Sequence, residues 1–522
     1  MSRILLLIPF VVWMSWPPGD PDRSIASLWG GIAIFFGGYA ALIALMATWS
    51  RVLTYRAVRV NLSRRMGRFH RGMFAARMMV PLWLIIGLSM LGWRDLVGNV
   101  LGLDHMQLEL PSLLVGTLPC FLAWMGLWWA QYPIERATRE QNVLYQFDQD
   151  LPVHAPPTFA NYFWINFRLQ VLFTLVPVLL ILGIVDLSAA ALRPLTGGLA
   201  AQQQSWLHNG ILLAIVAAVY LVSPEILRRV LPTQPLDDPN LRARLMRLAE
   251  RHKLRVRDIL LWRTHHNICN AAVMGVIGRF RYVLLTDLLL ETMSDEQIEA
   301  VFAHEIGHVV HRHMQWYVLV LGGWVLALAG IEQALLQWTG PIHGWKVLGL
   351  SAGIWLTLAA AGAFLLAFGF LSRRFERQAD VFAARTMQQE QPTTVLANGG
   401  GMVVAEVAPS NGSYVGPYGA MVFASALHRV ASVNNIPVVR AVWRGGSLSS
   451  MFSSTLDRVM EWTNHYLHGS IPLRMDYLRD LSQDPSRTHR FDRFMARLYR
   501  GLLVLFVISA LLAFHEHLIA MM

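Results

Sequence analysis

Apolar residues in this chain gather into nine stretches joined by polar, mostly Arg-rich connections. They run approximately Ile4–Trp16, Ile25–Trp49, Met78–Trp93, Pro111–Ala130, Leu169–Leu192, Trp206–Val222, Trp316–Trp338, Trp345–Leu371 and Gly501–Ala520. Most approach the ~20 residues an α-helix needs to cross a bilayer. The first is the shortest. Pro17-Pro18-Gly19-Asp20 follows it rather than a small-residue cleavage site, so an uncleaved span is expected there. Trp16, Trp128, Trp129, Trp316, Trp338 and Trp345 stand near the ends, as an interfacial aromatic belt requires.

The pattern predicts five parts: an N-terminal membrane domain of about six spans (1–223), a polar segment (224–315), a membrane hairpin (316–371), a second polar segment (372–499) and a C-terminal span (500–522). In the first polar segment, Asn240–His252 has helical periodicity with many charges. Val256–Trp262 and Tyr282–Thr286 are β-branched runs with a short extended stretch, Asn270–Val276, between them. Ala397–Gly419, rich in Gly, Asn and Pro, reads as a long loop or excursion.

Composition agrees with this picture. The chain is 55% hydrophobic and only 15% charged, where a water-soluble globule carries about 25% charged residues. The net charge of +11 does not point to nucleic acid, because the arginines cluster beside apolar stretches. Cys120 and Cys269 are the only cysteines, too few for a disulfide framework or a thiolate metal site.

Charge also predicts orientation. Arg51, Arg56, Arg59, Arg64, Arg65, Arg68, Arg71 and Arg77 follow the second stretch with no acidic residue among them, which marks a cytosolic loop. Counting spans from there puts both polar segments in the cytosol and the Thr339-Gly340-Pro341 turn outside. Arg487, Arg490, Arg493, Arg497 and Arg500 mark the inside again before the last span.

Chemistry enters with His304-Glu305-Ile306-Gly307-His308, an H-E-x-x-H motif. On a helix the two histidines share a face one turn apart. They can bind one Zn²⁺, with Glu305 beside the position left to water. Ser294-Asp295-Glu296-Gln297 reads as a capping box that starts the helix two to three turns earlier. A catalytic zinc needs a third protein ligand, and Glu376 is the candidate. Asp380, one turn on, is placed to orient a ligating imidazole. By themselves Glu376 and Asp380 could merely offset nearby arginines on an exposed turn. Topology favours the ligand reading. Trp316 begins a span eight residues after His308, about 12 Å of helix, and Glu376 follows the return span closely, so an antiparallel hairpin brings His304, His308 and Glu376 to one membrane face.

The H-E-x-x-H helix, the downstream E-x-x-A-D at Glu376–Asp380 and the upstream pair Asn270-Ala271 resemble the integral-membrane gluzincins. That family includes the type I CAAX prenyl proteases and the HtpX-like quality-control proteases. His468-Gly469-Ser470-Ile471-Pro472-Leu473-Arg474 adds to the likeness, because in the family a His and an Arg six residues apart line the site beyond the metal. The family often has His-Pro where this chain has His468-Gly469. The likeness covers roughly 237–481, outside the hairpin.

The resemblance implies a polytopic α-helical membrane protein with a split, mainly α-helical zincin catalytic domain containing a small β-sheet. It implies one Zn²⁺ per chain held by His304, His308 and Glu376, with Glu305 activating water and Asp380 orienting a ligand. His468 and Arg474 would stabilise the tetrahedral oxyanion, and Asn270 and Ala271 would bind the substrate backbone. The expected activity is zinc endopeptidase cleavage of membrane-associated proteins or peptides at the cytosolic face. The expected partners are such a peptide or protein and the lipid bilayer, with no nucleic acid, and the expected setting is a bacterial inner membrane. A proteolytically inactive scaffold or transport component on a protease-derived fold is the alternative. It is disfavoured because every metal and base position is intact. A receptor-coupled sensor protease would call for a sizeable extracytosolic domain.

Other polar residues take simpler readings. His265 and His266 are expected in a loop or strand near the site, and His311 and His313 at the membrane interface. His515-Glu516-His517 lacks ligand spacing, Asp186 and Glu332 are expected to snorkel, and Gly349, Gly353 and Gly362 to allow tight helix packing.

Overall fold

A computed structural model describes residues 6–17, 25–57, 62–103, 108–148, 152–196, 198, 200–339, 346–347, 350–390, 395–398, 401–404, 414–434, 436 and 468–521. Among these, seven helices are long and apolar enough to cross a membrane. The protein is a polytopic α-helical membrane protein with a small sheet, as the pattern predicts. The chain forms two compact units, one from residues up to 234 with 262–267, the other mainly from 235–261, 268–436 and 468–521.

The first unit comprises α1 (Ile8–Met14), α2 (Ile25–Ala57), α3 (Leu62–Ser89), α4 (Glu109–Asp148), α5 (Phe173–Thr196) and α6 (Ala201–Val230). Its core joins α1 to α4 around Phe35, Phe69, Trp124 and Trp128. The helices approach closely because glycines leave room. A Cβ on Gly38 would strike the Trp83 ring, and one on Gly116 the Trp13 ring. Proline is tolerated in α3 for a specific reason. Pro81 cannot donate to the Arg77 carbonyl, and the Trp124 indole N–H donates to that carbonyl at 3.3 Å instead.

Two expectations are corrected here. The first apolar stretch is not a span among the described residues. Its helix α1 has seven residues, about 10 Å at the helical rise, and it buries Phe10 and Trp13 in the core. Asp186 does not merely snorkel. Its carboxylate accepts the Leu110 N–H at 2.8 Å, satisfying a free donor in the first turn of α4.

A four-stranded sheet has the order β1-β2-β4-β3, from β1 (Thr233–Pro235), β2 (Asp258–Trp262), β3 (Ala271–Met274) and β4 (Tyr282–Thr286), with β3 and β4 wholly in the second unit, which holds the helices that follow. β3 is an edge strand and pairs antiparallel with β4, Ala271 opposite Leu285 and Val273 opposite Val283. Helix α7 (Pro239–Arg251) is capped by the Asp238 side chain. Then come α8 (Asp295–Val310), α9 (His313–Thr339), α10 (Ala352–Gln389), α11 (Pro417–Val433), α12 (Ile471–Gln483) and α13 (Pro485–Met521). Between α10 and α11, Val395–Asn398 pairs with Gly401–Val404 as a hairpin that overlaps the start of the stretch expected to be irregular, Ala397–Gly419.

Helix α10 runs unbroken from the predicted eighth span to Glu376 and Asp380. The Gly340 turn, Trp345 and Gly349 lie outside the described residues. Gly362 does not make the tight contact expected of it, since a Cβ there would meet only open space. The close contacts lie elsewhere. α9 and α13 run parallel: the Trp316 ring stacks on Tyr499 at 4.6 Å, Gly323 faces Phe506, and Gly330 faces the backbone of Leu512 and Ala513. Gly419, near the start of α11, lies against the α10 backbone and donates its N–H to Gln388 Oε1 at 3.0 Å.

A Cβ at Gly419 would collide with the Ala384 carbonyl oxygen. Gly419→Ala is therefore expected to force α11 off α10 and destabilise the second unit by about 1–3 kcal/mol. A lowered thermal midpoint of the detergent-solubilised protein checks this; an unchanged midpoint would show that the two helices can part freely.

Candidate metal centre

Helix α8 begins where the capping box predicts. Ser294 Oγ accepts the Gln297 N–H, and Gln297 Oε1 accepts the Ser294 N–H. Asp295 and Glu296 in the first turn suit the positive end of the helix dipole. Three turns on, His304 and His308 share one face with Nε2 atoms 3.3 Å apart. Gly307, between them, lets α10 come close: a Cβ there would lie 3.3 Å from the Ala379 Cα and 3.0 Å from the Phe382 ring.

That crossing brings Glu376 to the histidines. Its carboxylate oxygens lie 3.5 Å from His304 Nε2 and 3.7 Å from His308 Nε2. One ligand atom from each of the three residues lies within 4.8 Å of the other two. One turn along α10, Asp380 is 0% exposed and its Oδ1 sits 3.0 Å from His304 Nδ1. Arg474 of α12 grips Asp380 with two hydrogen bonds, Nε to Oδ2 at 2.8 Å and Nη2 to Oδ1 at 2.6 Å. Its Nη1 lies 3.5 Å from Glu376 Oε2. His468 Nδ1 is 2.8 Å from Glu376 Oε1, with its side chain 70% exposed. The Phe423 ring of α11 stacks on His304 at 5.5 Å.

Protonation follows from these contacts. Burial disfavours a charged His304, but the adjacent Asp380 and Glu376 carboxylates prevail and raise it to about 9. Burial pushes His308 down to about 4. Glu376 is held well below the usual carboxylate range despite its burial, first by His468 and then by His304. Asp380 is likewise lowered against its burial, chiefly by Arg474. Glu305 is raised, first by burial and then by the Glu376 charge. The Glu376 carboxylate raises His468.

The donor set fits a divalent metal. Two buried carboxylates face one guanidinium, and Glu376 Oε2 is buried without accepting a hydrogen bond, an arrangement a cation would complete. Two imidazole nitrogens and a carboxylate suit Zn²⁺ and leave a position open. Glu305, beside them, accepts the Val273 N–H at 3.0 Å, so the edge strand β3 abuts the base. Asn270 is exposed just ahead of β3, and its backbone is tied to Thr286 in both directions. Ala271 is buried in the ladder.

Sequence reasoning missed two neighbours. His313, expected at the membrane interface, is 1% exposed, and its Nδ1 lies 2.9 Å from His308 Nδ1. The helix breaks between them at Arg312, φ +56°, so no helical-face argument could pair them. Phe423 lies more than a hundred residues from His304, and nothing in its local pattern marks it. His265 and His266 occupy a loop in which both residues take positive φ. His154 stacks on His266 at 3.8 Å.

Comparisons with known proteins bear on the same segment. Residues 235–399 match the model of Peptidase family M48. The chain is 31% identical over 190 residues to a protein from Aeropyrum pernix described as a protease HtpX homolog, a match covering 36% of this chain and 57% of that protein. A protein of the same description from Albidiferax ferrireducens is 29% identical over 191 residues, covering 32% and 62%. A third, from Moorella thermoacetica, is 26% identical over 251 residues, covering 48% and 74%. The chain thus spans 57% and 62% of the length of the first two relatives. A crystal structure of S. mikatae Ste24p superposes with a TM-score of 0.44 at 12% identity, covering 85% of this chain and 98% of that one. The resemblance read from His304, Glu305, His308 and Glu376 is borne out: residues 235–399 resemble Peptidase family M48, in a chain whose described residues include seven helices long and apolar enough to cross a membrane.

Proposed function

We propose that this protein is a membrane-embedded zinc endopeptidase that cuts peptide bonds of membrane-associated chains at the cytosolic face. One observation carries the reading. The ligand atoms of His304, His308 and Glu376 converge within 4.8 Å, and the adjacent Glu305 carboxylate is held by the edge strand.

His304, His308 and Glu376 would hold the ion, which when bound supplies a Lewis acid and makes water more acidic. Glu305, its proton affinity raised by burial, takes a proton from the attacking water as the oxygen bonds to the scissile carbonyl carbon. It then gives that proton to the amide nitrogen as the C–N bond breaks, leaving a carboxylate and an amine. His468 stands over the site with an exposed ring. Arg474 holds Asp380 through Nε and Nη2, which leaves Nη1 as its donor toward the developing oxyanion. Asp380 orients His304. Asn270 and Ala271 open the edge strand along which a substrate backbone would pair.

Orientation rests on arginine placement. The candidate spans Leu28–Tyr55 and Arg68–Ser89 flank the Arg-rich loop. If that loop is cytosolic, the next three, Arg68–Ser89, Glu109–Gln141 and Phe159–Pro194, cross out, in and out, and Gln203–Val230 returns inward. Loss of α1 as a span does not alter this count, because α1 precedes the loop. The site also lies close to the bilayer, since the candidate span His313–Ala334 starts five residues after His308.

Glu305→Gln is expected to retain the metal but lose about 10²–10⁴-fold in turnover, whereas Glu376→Ala is expected to weaken the metal itself. Metal content by atomic absorption, measured beside peptide hydrolysis, separates the two, and full activity in Glu305→Gln would falsify the mechanism. For orientation, cysteines placed at Glu296 and Ala200 in a cysteine-free background are compared under a membrane-impermeant thiol reagent. Ala200→Cys should react from outside and Glu296→Cys only after permeabilisation; the reverse pattern overturns the orientation. For substrate, Glu305→Gln used as a trap in native membranes should enrich membrane-embedded or lipid-tethered chains. Cut sites beside C-terminal cysteines would assign prenyl-protein processing and scattered sites quality control. Recovery of soluble, untethered proteins alone would sink the membrane-substrate reading.

A further inference from the structure

His304 and His308 are oriented by different partners. His304 Nδ1 faces the Asp380 carboxylate. His308 Nδ1 faces another imidazole, His313 Nδ1, at 2.9 Å. The contact continues outward: His313 Nε2 lies 3.0 Å from Gln378 Oε1, and the Tyr499 hydroxyl donates to that same oxygen. The four residues come from α8, from the first position of α9, from α10 just beyond Glu376, and from α13.

Hydrogen-bond bookkeeping gives this chain one direction. Gln378 Oε1 only accepts, so His313 carries its proton on Nε2 and donates to it. A neutral His313 then presents a bare Nδ1, which can only accept. His308 must therefore be protonated on Nδ1, and its Nε2 lone pair is left facing His304 Nε2 and Glu376. That is the tautomer a metal ligand needs. With the amide reversed, Gln378 would donate to His313 Nε2, His313 would donate to His308, and His308 Nε2 would bear a proton where a metal must sit. The amide oxygen is the Gln378 atom that faces both His313 Nε2 and the Tyr499 hydroxyl, so the chain runs in the first sense.

Packing holds the donors in place. The His313 ring stacks on Phe375 at 4.3 Å, nearly parallel. Tyr499 stacks on Trp316. The depth of α13 beside α9 is set further along, where Gly330 leaves no room for a Cβ against the Leu512 backbone.

We propose that His313, Gln378 and Tyr499 are positioning residues that fix His308 as the Nδ1-protonated tautomer, and that through Tyr499 the docking of the C-terminal membrane helix α13 sets the geometry of the metal site. This rests on the reading of His308 as a metal ligand. Asp380 gives His304 a charged partner within the catalytic segment. His308 depends instead on an uncharged chain whose last donor belongs to a membrane helix.

The test uses the full-length protein in detergent, stripped of metal and titrated with Zn²⁺ against a chromophoric chelator, with Co²⁺ absorption bands as a readout of ligand geometry. Gln378→Leu, which removes the acceptor, should weaken Zn²⁺ about 10–100-fold. Gln378→Glu, which keeps an acceptor facing both donors, should stay within about threefold of the parent protein, because the direction of the chain is preserved. Tyr499→Phe removes one hydroxyl and little volume. It should weaken Zn²⁺ and shift the Co²⁺ bands in the same sense as Gln378→Leu, and the double variant should lose less than the product of the single losses. The melting temperature of the metal-free protein serves as the folding control. Should Gln378→Leu fail to fold, Tyr499→Phe decides alone. Unchanged affinity and spectrum in Tyr499→Phe, or equal losses in Gln378→Glu and Gln378→Leu, would overturn the relay. A parent protein that takes up no Zn²⁺ would instead overturn the metal reading on which the relay rests.

Discussion

Two carboxylates one helical turn apart on α10, both buried, are what the second unit is arranged around. Glu376 and Asp380 cannot remain ionised away from water without partners. Every element that reaches them supplies one. α8 brings His304 and His308, α12 brings Arg474, and the segment before α12 brings His468. Breaking such a buried pair by removing one member costs about 3–5 kcal/mol. The cluster therefore specifies how three helices meet, and its partners are held in place before any metal arrives.

The geometry of meeting is set by small residues. Gly307 on α8 lets the histidine face press on α10, and Gly419 lets α11 settle on the same helix and lay Phe423 over His304. At Gly419 a Cβ would overlap the opposing backbone, and at Gly307 it would lie 3.0 Å from the Phe382 ring and 3.3 Å from the Ala379 Cα, a few tenths of an ångström too close. Placement to this tolerance matters because a ligand displaced by about 1 Å is no longer a ligand. The Asp380 and Glu376 carboxylates on either side of His304 raise its proton affinity against its burial.

What could be read in the chain alone was what local chemistry dictates. The Ser294 cap fixes the start of α8, so the register of His304 and His308 followed from spacing. The β-branched runs gave β2 and β4 because strands of this kind need no distant information to be recognised. Glu376 was reachable only because the apolar pattern forced the chain out and back. Failures occurred where tertiary contact overrides local pattern. Ile4–Trp16 is apolar enough for a short span, yet α1 lies in the helical core with Trp13 against Gly116. Asp186 near a span end looked like a snorkelling charge, but it meets the start of another helix. His313 was invisible because helical periodicity ends at Arg312, and a left-handed residue rotates everything beyond it. Gly362 shows the converse error: glycine in a membrane helix signals close packing only where another helix comes near.

The site and the membrane share structure. α9 begins three residues after α8 ends, and α10 carries Glu376, the candidate third ligand, on the same continuous helix that the apolar pattern places in the bilayer. Shifts in the pitch or depth of these helices are thus delivered directly to His308 and Glu376, with no flexible linker between. Trp316 and Tyr499 stack on one another at the start of the apolar part of both helices, and aromatic side chains of this kind favour the membrane–water boundary. On the proposed reading, a protease built this way would reach chains held in the same bilayer. In exchange, its ligand geometry becomes sensitive to how its own membrane helices pack. A soluble zincin with the same H-E-x-x-H helix has no such dependence, because its ligands rest on a core that the bilayer does not touch.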